Sequence, residues 1–241
     1  MRFIISVLIF TTLLLADEAS DIIERLDDNM RGKSIYMLLS MKIVSKGHER
    51  SMKMKSYSEG TKKSFTKIIY PPKDRGITFL SLDNQMWQYV PKIERIIKIP
   101  PSMMLQNWMG SDITNDDMVK QSSIVEDYNP KIIKRDGSLV TIELIPKEEA
   151  AVVWGKVVVN IDTKTYTSIK DVFYDEDGEE VRYFLYDKVK KYGDYYIPTY
   201  WRIQSSEKKN RFTEIILEEV EYDKKISKQY FKKSALKRFS K

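Results

Sequence analysis

The chain has 241 residues, of which 42% are hydrophobic, so it can bury a sizeable core in one large domain or two small ones. It contains no cysteine, which excludes disulfide frameworks, thiolate metal sites and lipid attachment through a cysteine. His48 is its single histidine, so histidine-rich metal sites and a Ser-His-Asp triad are nearly excluded as well.

The net charge of +6 is concentrated at the C-terminal end of the sequence. Residues 224–241 carry eight lysine and arginine side chains and no acid, so the rest of the chain is slightly acidic. This distribution excludes a basic nucleic-acid-binding surface over the whole protein. The basic tail is expected either to contact an anionic membrane or an acidic partner, or to remain a solvated end.

The first sixteen residues have the pattern of a secretory signal peptide. A basic start precedes an uncharged apolar run from Phe3 to Ala16, and Asp17 ends that run. The run has 14 residues, whereas a helix that spans a membrane needs about 20. We therefore expect residues 1–16 to be cleaved on export, in preference to anchoring the chain, and residues 17–241 to form one domain.

The remaining sequence is typical of a mainly β protein with a few helices. Asp17–Met30 is predicted to be helical, because Ile22, Ile23 and Leu26 share one helical face. After Gly32 the hydrophobic period changes to two. The segments predicted as strands are Ile35–Ile43, Ser51–Glu59, Lys63–Tyr70, Ile77–Leu82, Met86–Val90, Ile93–Ile99, Lys131–Lys134, Ser138–Ile145, Val152–Asn160, Tyr166–Tyr174, Val181–Lys191, Tyr196–Ile203 and Arg211–Tyr222. Their regular spacing predicts a strongly curled antiparallel sheet of about eleven strands, an unclosed β-barrel.

Residues 102–128 interrupt this pattern and predict short helices and loops. Five large apolar side chains lie there, after Pro100 and Pro101, and need a surface to cover: Met103, Met104, Leu105, Trp108 and Met109. A flap that lies over the open face of the curled sheet satisfies this need. An apolar ligand would then bind in a cavity beneath the flap.

Two strands supply further candidate ligand contacts. Met37, Leu39 and Met41 belong to an odd-numbered row that is apolar throughout, so we expect this row to face inward. Trp87 and Tyr89 have the same parity in their strand and are expected to share a face. The alternative interpretation is that the methionines are ordinary core between paired strands.

The sequence has no recognisable catalytic or cofactor motif. It contains no Gly-x-Gly, which excludes phosphate loops and dinucleotide fingerprints. The acidic group Asp112, Asp116 and Asp117 lacks the spacing of a calcium loop. Thr114 or Asn115 is better explained as a helix N-cap with acids in the first turn. We therefore expect a protein that is not an enzyme and that needs no cofactor or metal.

Several motifs resemble the outer-membrane lipoprotein-sorting proteins of the LolA/LolB-like carrier superfamily. The likeness begins at Met30-Arg-Gly-Lys-Ser34 and runs through the stretches Ile68–Leu80 and Met86–Met104. It ends in Trp108–Asp117 and Val125–Tyr128, so the motifs cover residues 30–128. The resemblance implies an unclosed antiparallel barrel whose concave apolar face is covered by helices. It supplies no catalytic residue and no cofactor.

The resemblance also implies a function. Proteins of this type shield acyl chains of lipoproteins or other lipids in the periplasm and deliver them toward the outer membrane, with an envelope transporter or an outer-membrane acceptor as partners. Because this chain has no lipobox cysteine, a soluble carrier is favoured over a membrane-tethered acceptor. The alternative is an interaction module without carrier activity, such as an accessory protein of an envelope transporter or a stress-sensing scaffold, because fold does not fix function.

Overall fold

The structure, a computed structural model, describes residues 18–120, 124–150 and 152–241. The predicted signal peptide, residues 1–16, lies outside these residues. The described strands are β1 (Ser34–Ser45), β2 (His48–Glu59), β3 (Lys63–Tyr70), β4 (Thr78–Leu82), β5 (Gln85–Val90), β6 (Arg95–Lys98), β7 (Tyr128–Asp136), β8 (Leu139–Pro146), β9 (Lys156–Asp162), β10 (Thr167–Tyr174), β11 (Glu180–Tyr192), β12 (Tyr195–Ser205) and β13 (Arg211–Tyr222). The described helices are α1 (residues 18–31), α2 (Asn115–Lys120), α3 (Ile124–Asp127) and α4 (Lys233–Arg238), with short 3-10 helices at Pro91–Ile93, Pro101–Met103 and Trp108–Gly110.

All thirteen described strands belong to one antiparallel sheet. Its order is β6-β5-β4-β3-β2-β1-β13-β12-β11-β10-β9-β8-β7, so β1 and β13 pair at its centre. The edge strands β6 and β7 do not pair with each other among the described residues, and the barrel is unclosed, as predicted. The sheet has two strands more than the expected eleven. Each of the thirteen described strands overlaps one of the thirteen segments predicted as strands, so the segments were identified and only the expected total was too low.

The strand pattern follows from alternation and from turn chemistry. In β1, Ile35, Leu39, Met41 and Ile43 are buried and Met37 is half-buried, which confirms that the odd-numbered row faces a core. Asp83 and Asn84 connect β4 to β5, and both have positive φ angles, 47° and 64°. Two consecutive positive φ values match the right-handed twist of a two-residue hairpin.

The two faces of the sheet carry different apolar clusters. We call the face that bears Met41, Phe79 and Trp201 the inner face, because α1 and the segment 102–120 pack on it. On the outer face, α4 packs on β4 and β5 and contributes Ala235 and Leu236 to a separate cluster. Helices therefore cover both faces. No described helix is both long enough and apolar enough to cross a bilayer.

Candidate ligand cavity

An apolar cavity of ≈ 200 Å³ lies on the inner face, between α1 and strands β9–β12. We call it the inner cavity. Its apolar and aromatic lining residues are Ile23, Leu26, Met30, Met37, Ile113, Ile124, Tyr128, Val152, Val153, Trp154, Val157, Phe173, Phe184, Tyr186, Pro198 and Trp201. Its polar lining residues are Asp27, Arg31, Asp116, Asp117, Ser168 and Asp171. Apolar walls with few polar groups are typical of a site for a ligand that is mostly hydrocarbon.

Five aromatic side chains form a continuous row along the floor of the inner cavity. The ring centroids are 5.2 Å apart for Trp154–Phe173 and Phe173–Phe184, 6.1 Å for Phe184–Tyr186 and 6.0 Å for Tyr186–Trp201. Phe184 and Tyr186 share a face because they are two residues apart in β11, and the strand register sets Trp201 opposite Tyr186. We call these five residues the aromatic row.

Helix α1 forms the wall opposite the aromatic row. Ile23, Leu26 and Met30 recur at spacings of three and four residues, so they lie on one helical face. The C-terminal end of α1 is fixed by Asn29, whose Nδ2 donates to the carbonyl oxygen of Thr165 at 2.7 Å. Its Oδ1 accepts from the amide of Tyr196 at 2.9 Å. The position of this end of α1 is therefore set by hydrogen bonds to the sheet.

Asp27 and Arg31 form an ion pair at the wall of the inner cavity. Arg31 Nε donates to Asp27 Oδ1 at 2.6 Å across one turn of α1, and both side chains are largely buried. Burial raises the pKa of Asp27 and lowers the pKa of Arg31, whereas their mutual attraction acts in the opposite direction in each case. The pair therefore presents little net charge to a ligand.

A second ion pair joins α2 to β11. The guanidinium of Arg182 binds both carboxylate oxygens of Asp117, and it stacks on the rings of Trp154 and Phe173 with its carbon 4.5 and 4.7 Å from the ring centroids. Asp117 Oδ2 also accepts from the amide of Thr114 at 2.7 Å, while Thr114 Oγ1 accepts from the amide of Asp117 at 3.1 Å. This reciprocal arrangement confirms the predicted N-cap at Thr114.

A polar group lies at the edge of the aromatic row. Tyr186 donates from its hydroxyl to Asp171 Oδ2 at 2.8 Å. Burial raises the pKa of Asp171 to about 6, although the nearby hydroxyls of Ser168 and Tyr186 act to lower it. Burial also raises the pKa of Tyr186. Asp171 is thus a buried carboxyl group whose protonation changes near neutral pH.

The structure distributes the residues predicted as ligand contacts over four locations. Among the predicted set, Met37 lines the inner cavity. Leu39, Met41 and Trp108 are buried in the main core of the inner face, and Met104 and Met109 pack against that core. Met103 and Leu105 are exposed, at 38% and 57%. Trp87 and Tyr89 do share a face, as predicted, but it is the outer face beneath α4, away from the inner cavity.

The segment predicted as a flap packs on the inner face of the sheet. Trp108 is 1% exposed and packs on Phe79 with a centroid distance of 5.0 Å. Arg50 donates to the carbonyl oxygen of Met109 at 3.0 Å, and Arg211 pairs with Asp112 at 2.6 Å. Together with the Arg182–Asp117 pair, these contacts attach the segment to the sheet. Its helix α2 packs on β4 and β5, and its residues Ile113, Asp116 and Asp117 also line the inner cavity.

The aromatic row and Asp171 were not among the residues predicted as ligand contacts. The alternation of Arg182, Phe184 and Tyr186 in β11 was a usable signal, because three large side chains at that spacing must share one face. Asp171 gave no such signal. A β-bulge between Ser168 and Lys170 shifts the register of β10 against β9, so simple alternation does not predict which face Asp171 occupies.

Several proteins of known structure share this fold. A family model described as "Uncharacterized protein" matches residues 60–238. A DUF1329 family protein from Desulfovibrio piger has a TM-score of 0.83 at 22% identity, over 92% of this chain and 99% of that one. A putative outer membrane lipoprotein-sorting protein domain from Vibrio parahaemolyticus has a TM-score of 0.81 at 21% identity, over 92% and 100%. A LolA superfamily protein from Nitrosomonas europaea has a TM-score of 0.76 at 17% identity, over 90% and 98%. No curated protein matches the sequence. The resemblance predicted from the motifs is thus confirmed at the level of fold.

Proposed function

Since the chain belongs to the family whose model matches residues 60–238, and its fold is that of the lipoprotein-sorting proteins, we propose that it is a periplasmic carrier for lipoprotein acyl chains or other lipids. The observation that carries the proposal is the inner cavity, with the aromatic row on one side and the apolar face of α1 on the other. A hydrocarbon chain between these walls would exchange water for apolar contacts on both sides. Burial of apolar surface contributes about 25 cal/mol per Å².

The size of the inner cavity has a consequence for loading. Its volume of ≈ 200 Å³ is below the roughly 300–1,000 Å³ that is usual for small-molecule sites. A complete acyl chain therefore requires α1 to move away from the sheet. Because Asn29 fixes the C-terminal end of α1, we propose that the N-terminal part of the helix moves and that residues near Asn29 act as the hinge.

The proposed function also gives roles to the two ends of the sequence, residues 1–16 and residues 224–241. Residues 1–16 would direct the chain to the periplasm and be removed there, which N-terminal sequencing of the exported protein tests. The exposed lysines of residues 224–241 would contact anionic lipid at the membrane where cargo is collected or delivered. An envelope transporter and an outer-membrane acceptor would be the protein partners. In this role the protein has no catalytic step.

The experiment that tests the proposal is binding of Nile red, an apolar fluorescent dye, to residues 17–241. Phe184→Asp places a carboxylate in the aromatic row and should weaken dye binding at least tenfold. Tyr183→Asp is the matched control, because Tyr183 is also half-buried but points to the outer face from the neighbouring position of β11. Thermal unfolding shows whether both variants are folded. Equal binding by the two folded variants, or no binding by the wild type, contradicts the carrier function and leaves an interaction module as the better explanation.

A further inference from the structure

We infer that Ser168, Asp171 and Tyr186 form a head-group site in the inner cavity. The site fits an amphiphile whose head group donates hydrogen bonds, such as a hydroxyl or a primary ammonium group. It does not favour a carboxylate head group. The inference rests on the proposed function, because it assigns the polar end of the proposed ligand. It concerns a part of the cavity where hydrocarbon alone would leave polar atoms buried without partners.

The geometry of the three side chains supports the site. Ser168 and Asp171 are 5% and 7% exposed, and both line the inner cavity. Tyr186 already uses its hydroxyl proton on Asp171 Oδ2. Asp171 Oδ1 and Ser168 Oγ are buried and have no hydrogen-bond partner within 3.5 Å and with good geometry among the described residues, although Ser168 is near enough to Asp171 to act on its pKa. A buried polar atom without a partner destabilises the folded state, so these two atoms favour a ligand that satisfies them.

The β-bulge in β10 is what brings the two free atoms to one face. Ser168 and Asp171 are three residues apart, a spacing that puts side chains on opposite faces of a regular strand. The register shift between Ser168 and Lys170 sets Ser168 opposite Ile161 and Asp171 opposite Val159. Ile161 and Val159 are two residues apart in β9, so Ser168 and Asp171 lie on the same side. Bulges that redirect side chains are frequent next to functional sites.

The free atoms determine the chemistry of the head group. A carboxylate oxygen accepts hydrogen bonds, so the group opposite Asp171 Oδ1 must donate. The Ser168 hydroxyl both donates and accepts, and an alcohol head would satisfy both atoms at once. An ammonium head would donate to both and would also pair with the negative charge of Asp171. A carboxylate head has no proton to donate at neutral pH.

The cations near the inner cavity do not favour an anionic head. Arg31 is bound to Asp27 at 2.6 Å, and Arg182 is bound to both oxygens of Asp117. Each guanidinium therefore already has a carboxylate partner. An anionic head group would have to displace one of these partners and leave it buried and unpaired, which is strongly unfavourable.

The test is displacement of Nile red at pH 7.5 by three ligands with the same ten-carbon chain: decanol, decylamine and decanoate. We expect decanol and decylamine to displace the dye at concentrations at least tenfold lower than decanoate. Asp171→Asn should weaken displacement by decylamine more than displacement by decanol, because the negative charge is lost while a carbonyl acceptor remains. Ser168→Ala should weaken decanol displacement several-fold, because the alcohol head loses its hydroxyl partner.

The outcomes separate this inference from the proposed function. If all three ligands displace the dye equally, or decanoate displaces it best, the head-group site is wrong and an ordered water molecule satisfies the two atoms, while the carrier function stands. If the wild-type protein binds neither the dye nor any of the three ligands, both proposals fail. The ligand series with wild-type protein decides the matter even if either variant does not fold.

Discussion

Arg182 and Asp117 are 65 positions apart in sequence, yet two parallel hydrogen bonds of 2.7 and 2.5 Å join the guanidinium of one to the carboxylate of the other. Arg182 is 5% exposed, and its flat faces lie against aromatic rings, so the pair is shielded from water. It joins β11 to α2 beside the inner cavity. Because Asp117 also caps α2, the pair sets the position of a helix as well as neutralising a buried charge.

Arg182→Met should lower the free energy of unfolding by about 3–5 kcal/mol, because it leaves a largely buried carboxylate without its partner. Arg135→Met is the matched control. Arg135 pairs with Glu18 at 2.5 Å, but both side chains are over two-fifths exposed, so its removal should cost about 1 kcal/mol or less. Urea denaturation of both variants gives the comparison. Equal losses would show that the Arg182–Asp117 pair stabilises the fold no more than a surface pair does.

Trp108→Glu should prevent stable folding. Trp108 is 1% exposed against Phe79, so the substitution removes a large core side chain and buries a charge, a combined loss above about 4 kcal/mol. Leu105→Glu, three residues earlier in the same segment, should change stability by less than about 0.5 kcal/mol because Leu105 is 57% exposed. Circular dichroism and thermal unfolding measure both. A folded Trp108→Glu protein with weakened dye binding would instead support the prediction that this segment is a flap over the ligand.

The sequence predicts the sheet well because alternation is a local property. The odd-numbered row of β1 is buried, and the Asp83–Asn84 hairpin forms as its residues require. The same reasoning predicts that Trp87 and Tyr89 share a face. It does not predict which face, because that depends on α4, which packs there from the other end of the chain. Alternation thus determines which residues lie together, whereas long-range packing determines what covers them.

The inner cavity could not be predicted from the sequence for a related physical reason. Met103, Met104 and Trp108 looked like a cover because they are apolar and lie outside strands. Three arginines from distant strands hold that segment in place, and no local pattern predicts such pairings. The aromatic row arises from three neighbouring strands and residue Trp154, so it exists only once the strand register is known.

The basic tail should contribute to binding on anionic vesicles through charge alone. Helix α4 lies within this tail, and its apolar face covers Phe65, Leu80, Trp87 and Tyr89 on the outer face. Truncation after Asp223 would expose these apolar residues, so any change in vesicle binding could not be assigned to the lost charge. The triple variant Lys228→Gln, Lys232→Gln and Lys237→Gln changes exposed side chains and keeps the apolar contacts.

At about 1 kcal/mol per lysine near an anionic surface, the triple variant should bind vesicles containing phosphatidylserine at least tenfold more weakly at low salt. Co-sedimentation measures this. Binding of the wild type should fall as salt is added, because the attraction is screened within about 10 Å at 0.1 M ionic strength. Vesicles of phosphatidylcholine alone serve as the control. If the triple variant binds as well as the wild type, the tail serves only to keep the protein soluble.

Asp171 should make the free energy of unfolding depend on pH in the direction opposite to that produced by most carboxylates. Burial raises its pKa from 3.8 to about 6 in the folded state. Between these two pH values the folded protein holds a proton that the unfolded chain has released, so the free energy of unfolding must fall as the pH rises through this window. Above pH 6 the folded protein carries a buried anion, at a cost of roughly 1–3 kcal/mol.

Asp171→Asn has nearly the same shape, keeps an acceptor for the Tyr186 hydroxyl and has no charge to bury. We therefore expect the variant to be more stable than the wild type at pH 8, by roughly 1–3 kcal/mol, and this advantage to shrink toward zero at pH 4, where Asp171 is protonated in the folded wild type. Urea denaturation at pH 4, 5, 6, 7 and 8 measures the difference, in which the other carboxylates cancel. Asp194→Asn changes an exposed aspartate and should shift stability by less than about 0.5 kcal/mol at every pH. An Asp171→Asn protein that is less stable than the wild type at pH 8 would mean that the Tyr186 hydrogen bond to the charged carboxylate outweighs the cost of burying it.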